Sequence, residues 1–364
     1  MRRLLEWTVL VPVLAIVALA LTWGGDPGAV LVGVVAVLLA GSVLAAVHHA
    51  EVVAHRVGEP FGSLVLAVAV TVIEVGLIVT LMISGGSESA TLARDTVFAA
   101  LMIATTGIVG LSLLVGARRY GVAMFNAEGS GAALATVTTL ATLSLVLPTF
   151  TTSEPGPEFS PGQLTFAALA SLTLYATFVT TQTVRHRDFF LPVAQEGVPG
   201  RDEHADEHAT PPTNRATLTS LGLLLVALVA VVGLAKVESP AIEEAVAAAG
   251  FPPSFVGVVI AMLVLLPETL AAVRAARRGR LQTSLNLAYG SSIASIGLTI
   301  PTIALASVWL EGPLVLGLGP VQMVLLGLTV VVSVLTVVPG RATRLQGGVH
   351  LVLLAAFVFL AINP

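Results

Sequence analysis

The sequence predicts an all-α polytopic membrane protein with about eleven transmembrane helices, and three observations lead to this fold class. Hydrophobic residues make up 56% of the 364 residues and charged residues only 10%, whereas soluble domains carry about 25% charged residues. Apolar runs long enough to cross a bilayer recur along the whole chain. Two of these runs, 61–83 and 255–273, each contain one acidic residue far from both ends, Glu74 and Glu268. A mean hydropathy of +0.97 excludes a large soluble domain.

The apolar runs divide into one leading run and two sets of five. The leading run, 4–23, is favoured as a retained helix within a segment 1–24, with a cleaved signal peptide as the alternative. The first set lies in 29–184 and the second in 216–364. Besides the two acidic runs, the predicted spans are 29–47, 92–115, 128–147, 164–184, 218–235, 281–303, 314–338 and 349–362.

The longest polar segment, 185–215, separates the two sets and is predicted to be a cytoplasmic linker. Its core carries four acids, Asp202, Glu203, Asp206 and Glu207. Like charges four residues apart repel each other on a helix unless cations offset them. We expect these acids either to form a solvated loop or to attract cations and regulate transport, outside the central site.

The distribution of Lys and Arg predicts the orientation of the spans. With the N-terminus inside, fifteen basic residues fall in inner segments and two in outer segments. The C-terminus is then outside, and the predicted location is a bacterial plasma (inner) membrane. Since five is an odd number, the two sets must have opposite orientations. Inverted repeats with a site near the midplane are a recurring plan of secondary transporters.

The two deep acids predict ion chemistry. An ionised carboxylate at that depth costs roughly 2.5–3.5 kcal/mol on insertion scales, so such a residue is a candidate ion or proton site. A pair of carboxylates is neutralised by one divalent cation or by two protons, and hard oxygen ligands suit Ca²⁺. Pro267 interrupts the helix next to Glu268; it either frees carbonyl ligands or only bends the helix. The alternative for each acid is a protonated glutamate that only packs.

Other polar residues of the same runs are predicted to line the cation site. Thr71 lies almost one helical turn before Glu74. The run that follows each acidic run is rich in small and hydroxyl residues, and its candidate liners are Thr105 and Thr106 in the first set and Asn286 and Ser291 in the second. Such small-residue runs also serve as packing surfaces between helices.

Several stretches resemble one known family: 58–82, 93–104, 263–301 and 339–349. The resemblance is to the cation/calcium exchanger superfamily, and within it to bacterial calcium/proton antiporters of the ChaA type. It implies ten core helices in two inverted repeats, an extra N-terminal helix, an acidic helix between the halves and a cation site at the two glutamates.

The chain departs from the family around both acids. The family's glutamates end a Gly-Asn-Ala-(Ala/Thr)-Glu signature, whereas Val70-Thr71-Val72-Ile73 precedes Glu74 and Val264-Leu265-Leu266-Pro267 precedes Glu268. A family histidine is replaced by Thr269. The resemblance therefore carries over the carboxylates without the rest of their coordination shell.

The function expected from the sequence is Ca²⁺ export in exchange for H⁺ across the lipid bilayer, without a catalytic residue or a resident cofactor. Exchange of Na⁺ or K⁺ for H⁺ is the alternative on the same scaffold, and a homo-oligomer is left open. An intramembrane enzyme or a channel is a remote alternative, because no Gly-x-Gly-Asp, H-E-x-x-H or membrane-depth Ser/His pair supports one. The net charge of −4 gives no reason to expect nucleic acid.

Overall fold

The computed structural model describes residues 6–25, 28–58, 61–85, 90–193, 212–309 and 313–364. Its helices and strands are, in chain order, α1 (Trp7–Thr22), α2 (Ala29–Val57), α3 (Phe61–Gly85), α4 (Leu92–Met102), α5 (Val109–Tyr120), β1 (Ala123–Met124), α6 (Ala127–Ala141), α7 (Pro161–Thr180), α8 (Asn214–Ala248), α9 (Phe255–Val264), α10 (Leu266–Arg277), α11 (Leu281–Ala306), α12 (Pro320–Val337), β2 (Arg341–Ala342) and α13 (Arg344–Ile362). Short π-helical turns join α4 to α5 at Ile103–Ile108 and extend α6 and α7 at Thr142–Val146 and Thr181–Arg185, and 3₁₀ turns lie at Leu147–Thr149 and Arg187–Phe190.

The prediction of an all-α polytopic membrane protein is confirmed. Nine continuous helical segments of the described residues are long and apolar enough to cross a membrane, and the bent pair α9–α10 makes a tenth. α1 is an apolar helix of 16 residues. Together they occupy all eleven apolar runs of the sequence.

Some helices extend beyond their apolar runs. α8 has 35 residues and continues through Pro240 to Ala248, well past the predicted end at residue 235. A helix of that length measures about 52 Å, whereas the hydrocarbon core of a bilayer is about 30 Å thick. The last turns of α8 therefore extend beyond the lipid.

One end of the helix bundle, the strand end, is defined by β1 and β2. The strands pair antiparallel, with Ala123 opposite Ala342, and join the α5–α6 connection to the α12–α13 connection. At the same end, the backbone N–H of Asn126 donates to Oε1 of Gln282, the second residue of α11, over 2.7 Å. The starts of α6 and α11 therefore lie beside the small sheet.

The opposite end, the bridge end, is defined by an isolated antiparallel bridge between Glu158 and Val315. There the N–H of Val315 also donates to the carbonyl of Ala90, which precedes α4. α3 thus runs from the strand end to the bridge end, and α9–α10 leads back to α11 at the strand end. These opposite directions are what inverted repeats require; the division into repeats itself stays a prediction.

α11 lies at the centre of the bundle, in contact with α3, α4, α5, α6, α7 and α10. Small residues let the neighbouring helices come close. A Cβ on Gly297 would lie 2.9 Å from the Cβ of Tyr175 on α7, and a Cβ on Gly257 of α9 would lie 2.8 Å from the backbone N of Thr96 on α4. α3, α4, α9 and α11 consequently surround one small polar region.

Candidate cation site

Glu74 lies in the middle of α3 with only 2% of its surface exposed. Two hydroxyl groups of α11 bind its carboxylate: Ser295 Oγ donates to Oε1 over 2.6 Å, and Thr299 Oγ1 donates to Oε2 over 3.1 Å. Ser295 and Thr299 are four residues apart, so they lie on one face of α11. A buried carboxylate needs such partners, because burying a charge without them is very costly.

A small cavity adjoins the Glu74 carboxylate. The centre of a water-sized sphere can occupy about 10 Å³ of it, close to the minimum needed for one water molecule. The cavity therefore has the scale of a single water or of one ion without its hydration shell. Its other lining residues are Val70, Thr71, Thr96, Ala100, Ala261, Val264, Leu265, Ser291, Ala294 and Ser295.

The wall opposite α11 is a broken helix. α9 and α10 meet at Leu265 with a bend of 53°, and Pro267 in the first turn of α10 explains the break, because proline cannot donate the helical hydrogen bond. Glu268 follows at once. Among the described residues, its Oε2 is buried without a hydrogen-bond partner.

Comparison with known proteins decides what kind of protein holds this arrangement. The family model for sodium/calcium exchanger proteins matches residues 27–184 and 219–363. The chain belongs to the sodium/calcium exchanger family. It is therefore a membrane-embedded cation antiporter, which moves cations against counter-ions, and not an enzyme.

Individual relatives agree with this family. The exchanger is 45% identical over 361 residues to y4hA of Sinorhizobium fredii, an ionic transporter by name, a match that covers 98% of this chain and 96% of that protein. It is 34% identical over 357 residues to the sodium-potassium/proton antiporter ChaA of Escherichia coli, covering 97% and 95%. The crystal structure of the H⁺/Ca²⁺ exchanger CAX matches with a TM-score of 0.69 at 16% identity, covering 98% and 91%, and this last likeness shows the fold alone.

Four of the predicted site residues lie in or next to the cavity of the exchanger. Thr71, Glu74 and Ser291 line it. Glu268 does not line it but follows Val264 and Leu265, two wall residues of the same bent segment, within four positions. The predicted bend at Pro267 is present; the role of carbonyl groups freed by it stays a prediction.

The other three predicted liners lie elsewhere. Thr105 and Thr106 donate to carbonyls of their own helix, and the carbonyl of Thr105 accepts from Nδ1 of His350 over 3.0 Å. Asn286 donates to the carbonyl of Phe190 over 2.7 Å and thereby ties the 3₁₀ turn of the strand end to α11. The two threonine hydroxyls thus bond within their own helix, whereas the Asn286 amide links two elements. None of the three residues is among the lining residues of the cavity.

Sequence reasoning missed three hydroxyl residues next to Glu74: Thr96, Ser295 and Thr299. Ser295 and Thr299 follow Ser291 at intervals of four. The helical spacing alone would therefore have placed them on the same face of α11 as Ser291, which was predicted to line the site. Thr96 lines the cavity, and its Oγ1 is buried without a partner. The predicted regulatory acids, Asp202, Glu203, Asp206 and Glu207, lie outside the described residues.

The donor set of the site is hard oxygen only. Within the described residues, no group of three or more His, Cys, Asp or Glu side chains is placed to hold a metal ion. Any cation in the cavity would therefore combine one or two carboxylates with hydroxyl and carbonyl oxygens. Such ligands suit alkali and alkaline-earth cations rather than zinc or copper.

Proposed function

We propose that this exchanger is a Ca²⁺/H⁺ antiporter that exports Ca²⁺ from a bacterial cell while protons enter. The observation that carries the proposal is the buried Glu74 carboxylate, which adjoins a cavity of single-ion scale. A second buried acid, Glu268, follows the helix break that forms the opposite wall. Alternating access would expose this site to each side of the membrane in turn.

The two carboxylates supply a reason for exchange. With neither ion bound, two negative charges lie close together in a region of low dielectric constant, which is unfavourable. One Ca²⁺ or two protons leave the pair without net charge. The loaded forms can therefore change sides while the bare form is disfavoured, and this obliges one ion to be exchanged for the other.

The surrounding oxygens fit a Ca²⁺ ion, which takes six to eight of them at about 2.3–2.6 Å. The side-chain candidates are Thr71, Glu74, Thr96, Ser291, Ser295 and Thr299 around the cavity and Glu268 beside it. Carbonyl groups at the break between α9 and α10 add further oxygens. Glu268 would have to turn toward the cavity, and its Oε2 has no partner to hold it back.

Exchange of Na⁺ or K⁺ for H⁺ is the second candidate, and a specific observation favours it. Glu74 is the one carboxylate among the lining residues of the cavity, and the remaining polar liners are neutral hydroxyls. A single carboxylate balances a monovalent cation. The relative at 34% identity is named as a sodium-potassium/proton antiporter.

Transport by the purified protein in liposomes separates the two candidates. Ca²⁺, Na⁺ or K⁺ is added outside vesicles that contain a pH-sensitive dye, and proton release is recorded with the membrane potential clamped. Proton movement driven by Ca²⁺ at concentrations where Na⁺ and K⁺ are inactive supports the first candidate. Movement driven by Na⁺ or K⁺ alone refutes it in favour of the second.

For the orientation, we propose that the strand end faces the cytoplasm, because the fifteen basic residues of the predicted inner segments include those of its connections. An epitope tag after Pro364 should then be reached by antibody from outside the cell. A tag that is reached only after permeabilisation contradicts this orientation.

A further inference from the structure

A second, larger cavity lies at the bridge end, and we call it the outer chamber. It has a volume of about 350 Å³ and lies between the end of α3, the start of α4, the last turns of α8 and the start of α9. Most of its wall is apolar, including Leu81, Leu92 and Phe251. Three carboxylates also line it: Asp95, Glu243 and Glu244.

Asp95 has one carboxylate oxygen paired and one carboxylate oxygen unpaired. It is 5% exposed, and its Oδ1 takes part in a 2.8 Å ion pair with Arg94 and also accepts a hydrogen bond from Gln322 over 3.4 Å. Its Oδ2 is buried and has no hydrogen-bond partner among the described residues. Buried polar atoms are rarely left unsatisfied, and Asp95 lines the chamber, so a ligand in the chamber would supply the partner that this carboxylate lacks.

The outer chamber is next to the central site. Asp95 lines the chamber, and the adjacent residue, Thr96, lines the cavity beside Glu74. α9 packs directly against this point, since a Cβ on Gly257 would lie 2.8 Å from the N of Thr96 and 2.9 Å from the carbonyl carbon of Asp95. The contact between α4 and α9 therefore separates the outer chamber from the cavity beside Glu74.

We propose that the outer chamber binds a hydrated cation on its way to or from the central site. Among the described residues, three carboxylates and the guanidinium of Arg94 leave two formal negative charges, enough to balance one divalent or two monovalent cations. The volume accommodates an ion together with several waters, each of which occupies about 30 Å³. No three acids of the described residues are placed to chelate a metal directly, so the ion keeps its water and is held by the field of the carboxylates.

This proposal rests on cation transport, which the family establishes, and not on the choice between Ca²⁺ and a monovalent ion. A negatively charged cleft with low-dielectric walls raises the local concentration of cations and their rate of entry by tenfold or more. It attracts protons in the same way. Because the chamber cannot change the equilibrium of exchange, the apparent constants for cation and for protons on this face must change together.

The first test compares the two faces of the membrane. The E243Q/E244Q variant removes two exposed charges of the chamber, and E154Q/E158Q is its control, since Glu154 and Glu158 lie at the same end outside the chamber lining. In vesicles of known orientation, E243Q/E244Q should raise the apparent constants for cation and for protons about tenfold on one face only, with an unchanged maximal rate. The difference in these constants between E243Q/E244Q and the parent should become smaller at high ionic strength. Equal changes on both faces, or none, overturn the proposal.

The second test does not depend on transport. The background is E74Q/E268Q with Asp202, Glu203, Asp206 and Glu207 also neutralised, so that it lacks both the central carboxylates and the acids of the linker. Binding of Mn²⁺ to this purified protein is followed by loss of the free-ion signal in electron paramagnetic resonance. Weak Mn²⁺ binding should persist and should disappear when D95N or E243Q/E244Q is added. Binding that is absent from the background, or that survives both additions, refutes the chamber while leaving the central site untouched.

Discussion

The two deep glutamates of this exchanger are predicted to occupy matching places in two repeats, yet their surroundings differ. Glu74 lies in an unbroken helix of 25 residues, and both of its carboxylate oxygens accept hydrogen bonds from α11. Glu268 lies directly after the break between α9 and α10, and its Oε2 is buried without a partner. The two acids therefore lie in different environments, whatever correspondence the predicted repeats give them.

The difference suggests a division of roles. A buried oxygen without a hydrogen bond costs about 1–3 kcal/mol, so Glu268 has an unfilled place for a cation or a proton. Glu74, held by two hydroxyls, has less freedom to turn. We hypothesise that Glu74 fixes the position of the ion while Glu268 moves toward it and away from it during the cycle. The following predictions test this comparison.

The largest effect is expected from removal of either carboxylate. With Ca²⁺ as the substrate, E74Q and E268Q should each abolish exchange, because one remaining carboxylate cannot balance a divalent ion in a low-dielectric site. With Na⁺ or K⁺ as the substrate, E268Q should keep partial activity, whereas E74Q should not. The measurement is cation-dependent proton flux in liposomes.

A matched control exists for these variants. Glu238 is also buried, at 3% exposure, and has an unpartnered Oε1, but it does not line the cavity. E238Q should therefore transport normally. The thermal stability of E74Q and E268Q should be close to that of the parent, since glutamine keeps the shape of the side chain. Full Ca²⁺ exchange in E74Q or in E268Q would mean that these carboxylates do not form the cation site.

Protons and cations should compete for the same pair. Lowering the pH on the side that binds the cation should raise the apparent cation constant by about tenfold per pH unit if one proton is displaced, and by about a hundredfold if two are. The maximal rate at saturating cation should not change. Initial rates at several pH values check this, and a falling maximal rate would instead indicate titration of a group outside the site.

Loss of one hydroxyl donor should have an intermediate effect. A hydrogen bond to a charged group contributes about 1.5–3 kcal/mol, and the Ser295 bond is the shorter of the two at Glu74. S295A should therefore raise the apparent cation constant about tenfold, and T299V by less. T302V is the control, because Thr302 is exposed on the same helix and bonds only to the carbonyl of Leu298. Equal effects of S295A and T302V would remove Ser295 from the site.

The acidic linker should give the smallest effect. Neutralising Asp202, Glu203, Asp206 and Glu207 together removes four charges from the predicted cytoplasmic segment. We expect the apparent cation constant to change a few-fold, because screened surface charges act weakly. Exchange measured in liposomes decides the point, and complete loss of transport in a folded variant would contradict a regulatory role.

The fold was predictable because its determinants are local. Uninterrupted apolar runs specify spanning helices, and Pro267 specifies the bend beside Glu268. The sequence also predicted Glu74, Glu268, Thr71 and Ser291 as candidate site residues, because charged and hydroxyl side chains stand out within apolar runs.

The sequence did not predict how far neighbouring helices are shifted along each other, and so which of their residues meet. Thr105 and Thr106 lie nine and ten residues beyond Thr96, about 14 Å further along the helix. The run around them is packed against α13, where a Cβ on Gly110 would lie 3.0 Å from the Cβ of His350. Which hydroxyl of a small-residue run faces Glu74 depends on how neighbouring helices slide together, and this is a property of distant residues.

The two-residue sheet of the strand end ties two distant parts of the chain together. Because β1 and β2 come from the α5–α6 and α12–α13 connections, these connections can separate only if the hydrogen bonds of the ladder break. We expect the ladder to persist throughout the transport cycle. The chain has no cysteine, so a single engineered pair, A123C/A342C, can link the two strands by a disulfide. Paired Cα atoms in such a ladder lie about 4.5–5.5 Å apart, which a disulfide can span. The cross-linked exchanger should still transport. Arrest of transport on oxidation and its recovery on reduction would show that β1 and β2 have to separate during the cycle.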